Sequence, residues 1–155
     1  EDLGFLTDGV RRLLHDSGFP GMKVIQFAFD SREESDYLPH NYEKNCVVYT
    51  GTHDNDTLCG WYKVLDPEDL KLSQKYMNNA NTPKRQIHWD FIRLALASVA
   101  DLCIIPLQDY LGLGSEARIN TPSTLGNNWR WRMTQGCLTK ELADQIRELT
   151  TLYGR

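Results

Sequence analysis

Six polar residues in a row, Thr52, His53, Asp54, Asn55, Asp56 and Thr57, follow a short β-branched run, Val47, Val48, Tyr49 and Thr50, that stops at Gly51. An imidazole and two carboxylates in one loop offer acid–base groups or metal ligands. Loops at the carboxyl ends of parallel strands are where α/β enzymes present such groups. The same residues have a purely structural reading, in which Asp56-Thr57 caps a helix before Leu58 and Trp61, and Asn and Asp serve as turn residues. Spacing leaves both readings open. A metal site built from His53, Asp54 and Asp56 is disfavoured, because adjacent ligands are not the helical His-x-x-x-His arrangement and no second histidine lies nearby in sequence.

The elements that must position this loop alternate along the chain. Val10, Leu13 and Leu14 have helical spacing over residues 8–15, and Gly18 and Pro20 end that helix. Residues 22–29 form a largely apolar run, broken by Lys23 and Gln26, that predicts a buried strand. Residues 30–45, DSREESDYLPHNYEKN, are a polar loop long enough to be functional. The central strand at 47–50 is followed by a short helix over 56–62. Asp66-Pro67-Glu68-Asp69 has the cap, proline and acidic first turn of another. Residues 83–100 carry Ile87, Phe91, Leu94 and Ala95 on one face, continued by Ser98 and bordered by Val99, as expected of a helix covering a sheet. A strand over 102–107, a glycine-spaced loop over 108–132 and an amphipathic helix over 138–153 complete the chain. Buried strands separated by helices predict a parallel sheet.

The 155 residues are 41% hydrophobic and 25% charged, which suits one soluble globular domain with a core of its own. A formal charge of −4 gives no surface for nucleic acid or an anionic membrane. No apolar run approaches the ~20 residues that span a bilayer. Cys46, Cys59, Cys103 and Cys137 stand far apart without a C-x-x-C pair, so reduced thiols and a cytoplasmic location are expected.

Several longer motifs occur in one order: EDLG at 1–4, PGMKVIQFAF at 20–29, LPHNY at 38–42, THDND at 52–56, PLQD at 106–109 and GLGSEARIN at 112–120. Together they resemble the 4-α-glucanotransferases, the amylomaltase or disproportionating-enzyme family, from Glu1 to about Arg132. The match covers the carboxyl-terminal part of that family's chain. It implies an α/β fold that is the carboxyl-terminal half of a (β/α)8 TIM barrel, with residues 1–155 as a partial catalytic domain lacking the earlier strands. A whole barrel takes about 250 residues, and this chain has room for about half. A half barrel leaves two strand edges and an apolar interior uncovered, so the isolated chain is expected to be unstable or to self-associate.

The resemblance also assigns roles. Glu1 becomes the general acid/base, Asp54 the carboxylate that stabilises the transition state by holding sugar hydroxyls, and His53 its hydrogen-bonding neighbour. The family's nucleophilic aspartate lies upstream, and no residue here matches its motif, so the chain alone is expected to be inactive. A free ammonium on Glu1 would favour its ionised carboxylate and spoil an acid. Residue 1 is therefore expected to lie inside a longer enzyme, with the preceding part of its own chain as a partner. The substrates implied are α-1,4-glucans and maltooligosaccharides, transferred by retaining double displacement, with no metal or organic cofactor.

Asp30, His40, Asn41, Asn120 and Pro122 are the remaining substrate-binding candidates. Asp30 could equally be a strand-end turn residue, and Pro39-His40-Asn41 could simply fix its loop. Asn120 and Pro122 match the loop bordering the acceptor subsites, although some relatives have Gly at Ser123 and a single Asn where Asn127-Asn128 precedes Trp129. Trp129 and Trp131 could stack on glucose or act as packing anchors. Asp109 follows a strand as active-site residues do, or could pair with Arg118 as support. The alternative function is a non-catalytic carbohydrate-binding domain in which His53 and Asp54 only grip sugar.

Overall fold

A computed structural model describes Asp2 and residues 7–155. Glu1 and residues 3–6 lie outside the described residues, so the acid/base expectation at Glu1 falls there.

Helix α1 (Asp8–Ser17) starts where the Thr7 hydroxyl accepts the Val10 N–H and ends at Gly18, whose φ of 68° suits a residue without a Cβ. Three short strands follow, β1 (Gly21–Val24), β2 (Cys46–Tyr49) and, after three helices, β3 (Leu102–Ile104). They form one parallel sheet in the order β1-β2-β3, with Met22 opposite Val47 and Val47 opposite Leu102. The crossover between β2 and β3 contains α2 (Leu58–Val64), α3 (Pro67–Met77) and α4 (Ile87–Leu96). Thr57 caps α2, and Asp66 caps α3 ahead of Pro67. After β3 come a single helical turn, α5 (Leu107–Tyr110), a long loop, and α6 (Lys140–Leu152) capped by Thr139.

The alternation of side chains along a strand divides the sheet into two unlike faces. On one, Cys46 and Val48 pack into a core with Phe91, Ile92, Ala95 and Leu96 of α4. Full burial of a side chain such as Phe91 stabilises the fold by roughly 1.5–3 kcal/mol. On the other face Met22, Val47 and Tyr49 are half-buried, while Leu102 is 52% exposed and Ile104 41% exposed. That face is apolar and open.

Three elements differ most from the sequence expectation. The strand over 22–29 ends at Val24, and Ile25–Phe27 form a 3-10 turn. The Gln26 N–H still donates to the Thr50 carbonyl (3.3 Å), while its buried side chain donates to the Asp56 carbonyl (2.7 Å) as the backbone turns away from the sheet. The helix over 83–100 is a 3-10 turn at Lys84–Gln86 joined to α4. It stops at Leu96, whose carbonyl accepts from the Arg155 guanidinium (3.0 Å), as does that of Ser98 (2.7 Å). The strand over 102–107 is likewise cut to Leu102–Ile104, because Pro106 opens the turn of α5, accepting the Asp109 N–H (3.0 Å).

Candidate active site

The loop between β2 and α2 is shaped first by its own residues. The Asn55 carboxamide oxygen accepts both the N–H and the hydroxyl of Thr52 (2.8 Å each), and the Thr52 hydroxyl accepts the Asp54 N–H (3.2 Å). This turn leaves the side chains of His53 and Asp54 half-exposed, with His53 Nε2 3.4 Å from Asp54 Oδ1. A second segment, beyond α5, holds the pair from outside. Asn120 Nδ2 donates to Asp54 Oδ1 (2.6 Å), the Asn120 N–H to the His53 carbonyl (3.1 Å), and the Arg118 guanidinium to the Asp54 carbonyl (2.7 Å). Among the described residues no donor reaches Asp54 Oδ2. One carboxylate oxygen is thus fixed by the protein and the other is free to accept from a ligand hydroxyl.

Below the tip, the ends of the loop are buried. Asp109, 2% exposed, accepts from the Thr50 hydroxyl at Oδ2 (2.6 Å) and from the Leu58 N–H at Oδ1 (2.8 Å). Burial pushes its carboxyl up to about 6, against the lowering effect of those two donors, and nearby Asp56 raises it further. Asp56 accepts from the Ser115 hydroxyl (2.6 Å) and from the Thr57 N–H (2.8 Å). Gly60 leaves room here, since a Cβ would press on Ser115 Oγ and stand 2.6 Å from Asp56 Oδ2. His53, Thr52 and Asn55 line a cleft of about 480 Å³ with Tyr49, Gln108 and Arg118. The arrangement can hold hydroxyl groups and stabilise positive charge. Among the described residues no cluster of three His, Cys, Asp or Glu side chains is placed to hold a metal ion.

Residues 1–139 match the sequence profile of the 4-alpha-glucanotransferase family. The chain belongs to that family. A 4-alpha-glucanotransferase of Clostridium butyricum is 50% identical over 156 residues, covering 100% of this chain and 32% of its own length. The chloroplastic/amyloplastic 4-alpha-glucanotransferase of Arabidopsis thaliana is 47% identical, with 100% and 27% covered. The amylomaltase of Streptococcus agalactiae in complex with acarbose superposes with a TM-score of 0.93 at 38% identity, over 100% of this chain and 31% of that one. The chain therefore spans about a third of the length of the relatives it matches.

Of the residues singled out for this 4-alpha-glucanotransferase family member, the structure brings His53, Asp54 and Asn120 together. Pro122 lies two residues on, exposed, in a loop tied by Asn128: its Oδ1 accepts the Thr121 N–H (3.0 Å), and its Nδ2 donates to the Thr124 carbonyl (3.1 Å). Trp129, 57% exposed, lies against the His53 ring with centroids 5.2 Å apart. The other candidates are elsewhere. Asp30 lines a separate cleft of about 500 Å³, its carboxylate gripped by the Arg32 guanidinium (2.7 and 2.6 Å), which holds it well below the usual carboxylate range. His40 Nδ1 bonds the Tyr76 hydroxyl (2.9 Å), and Asn41 donates to the Ser35 carbonyl (3.1 Å), contacts that order the loop carrying them.

The pairing of Asp109 with Arg118 does not occur, because Thr50 and Leu58 occupy both carboxylate oxygens and Arg118 turns to backbone carbonyls. Sequence reasoning missed Thr50, Ser115 and the service of Arg118 to Asp54. The only local signal was that each adjoins a strand end or a glycine-spaced motif.

Proposed function

We propose that this chain is the part of a 4-α-glucanotransferase that carries the acid/base Glu1 and the transition-state carboxylate Asp54. The observation that carries the reading is the His53–Asp54 pair, held at the end of β2 by Arg118 and Asn120 in a chain that belongs to the family. The function of the whole enzyme is transfer of an α-1,4-glucan segment to the 4-hydroxyl of glucose or a maltooligosaccharide. Acarbose bound in the similar amylomaltase supports that substrate class.

In this reading an aspartate from another part of the enzyme attacks the anomeric carbon while Glu1 protonates the departing oligosaccharide, and Glu1 then takes the proton of the acceptor hydroxyl. The free Oδ2 of Asp54 holds sugar hydroxyls, with His53 beside it, more strongly as the ring flattens toward the cation. Asn120 serves through Asp54, Pro122 belongs to the acceptor loop, and Asp30, His40 and Asn41 contribute at the periphery.

The architecture we infer is the second half of a (β/α)8 barrel. Its support is the parallel β1-β2-β3 order and the open face of Leu102 and Ile104, which further strands would cover. Four free cysteines fit a reducing compartment such as the cytoplasm. No helix among the described residues is long and apolar enough to cross a membrane.

The test is incubation with maltotriose. A ladder of glucose with maltopentaose and longer chains, from a longer polypeptide containing this sequence but not from the 155 residues alone, is the expected result. Maltotriose binding without any products from either would replace the transferase by a sugar-binding domain.

A further inference from the structure

His53 and Asp54 stand at the tip of the loop, whereas the best-buried carboxylate among the described residues lies at its base. Asp109 stands 59 residues from Thr50 and 51 from Leu58, and its two oxygens accept one hydrogen bond from each. Thr50 is the first residue after β2 and Leu58 the first of α2, so the two partners are the ends of the segment that carries His53 and Asp54. All three residues are buried. We propose that Asp109 is a positioning residue of the transferase site, a clamp across the base of the 51–57 loop that sets where His53 and Asp54 stand. This inference rests on the transferase reading above.

The chemistry asks for a carboxylate. One oxygen must accept from a hydroxyl and the other from a backbone N–H, and an amide of the same shape has only one acceptor oxygen. Asp109 is 2% exposed and each of its oxygens already serves one end of the loop, which makes it a support and not a contact. Neighbouring Gln108 fits the same plan, since its Nε2 donates to the Ala117 carbonyl (3.3 Å), fastening the chain just before Arg118 and Asn120. The turn of α5 therefore holds the base of the loop directly through Asp109, and through Gln108 steadies the segment that grips its tip.

The experiment compares kcat and KM for maltotriose disproportionation in the longer active enzyme and in Asp109→Asn, Thr50→Val and Thr50→Ser, with melting temperatures for each. Misplacing a group that acts on the transition state lowers kcat more than it raises KM, so Asp109→Asn and Thr50→Val should each lose at least about tenfold in kcat with KM within about threefold. Thr50→Ser, which keeps the hydroxyl, should restore kcat to within about twofold of the parent. If Asp109→Asn fails to fold, the Val and Ser pair at position 50 decides. An unchanged kcat in Asp109→Asn or Thr50→Val, or equal loss in the Ser and Val variants, overturns the clamp while leaving the transferase standing. A parent enzyme that makes no ladder overturns the transferase reading and the clamp with it.

Discussion

Two neighbouring loops meet where Trp129 lies against His53, yet they are held in opposite ways. The 51–57 loop is tied to distant parts of the chain: Gln26 to the Asp56 carbonyl, Ser115 to the Asp56 carboxylate, Arg118 and Asn120 to Asp54. The loop from Thr121 to Trp129 is tied mainly to itself, through Asn128, Thr124 and Thr121, with Ser123 and Trp129 at positive φ and Leu125 fully in solvent. Long-range bonds fix a group relative to the whole fold; local bonds fix only a shape that moves as a unit. The first kind suits a residue that must meet a transition state. On the transferase reading proposed above, the second suits a rim that adjusts to acceptors of different length.

If that contrast is right, damage to the anchored loop is severe. Asp54→Asn keeps the bond from Asn120 and the shape of the side chain but removes its charge, and kcat should fall by roughly 10²–10³, the cost of one well-placed electrostatic group. Steady-state rates on maltotriose with the parent as reference would show it. A variant within tenfold of the parent would reduce Asp54 to a sugar grip.

The buried clamp predicts a pH signature. Asp109 is raised from 3.8 to about 6, so the folded state binds its proton more tightly than the unfolded state does. Its contribution to stability is present in full below about pH 3.8 and is lost as pH rises through about 6, a loss of roughly 3 kcal/mol at neutral pH. Asp56 adds like charge from the loop, and the nearby Cys59 thiol of α2 is itself raised by burial. Asp109→Asn has no such loss. Its melting temperature relative to the parent should therefore climb between pH 4 and 7, and a constant difference would mean that the carboxyl does not titrate there.

A smaller effect tests the close fit behind the same loop. Gly60→Ala forces a Cβ against Ser115 and Asp56, and overpacking of this kind costs about 1–3 kcal/mol. Ser115→Ala in the same chain should recover part of the loss, because it removes the nearer clash; melting temperatures of both variants give the answer.

The two loops were also unequally legible in the sequence. Val47 to Gly51 reads as a strand with an abrupt stop, so the place of His53 and Asp54 followed from local pattern, whereas the roles proposed for them rest on the family motifs. Thr57, Asp66 and Thr139 announced their helices as caps. Asp109 could be placed after a strand, but its partners could not, since nothing local marks Thr50 and Leu58 as donors to a residue more than fifty positions away. Charge complementarity suggested Arg118 instead, and burial overruled it. The strand expected over 22–29 failed similarly, because apolar periodicity does not record that the backbone turns at Ile25 and that the Gln26 side chain donates to the Asp56 carbonyl.

The self-tied loop should respond least, and Ser123 is the place to ask. Its φ of 61° is a left-handed conformation that costs an L-residue about 1–2 kcal/mol. Ser123→Gly relieves that cost but gives the unfolded chain more freedom, a penalty of roughly 0.5–1 kcal/mol. The two nearly cancel, so the melting temperature should rise by at most a few degrees. Because the Asn128 bonds to Thr121 and Thr124 do not involve the Ser123 side chain, the loop keeps its outline and the 51–57 loop its anchors. The expected change is confined to the acceptor: KM for glucose shifts by about twofold or threefold while kcat holds. A fall in kcat approaching that of Asp54→Asn would mean that the rim transmits to the transition state through the Trp129–His53 contact, and the division between an anchored loop and an adjustable one would have to be given up.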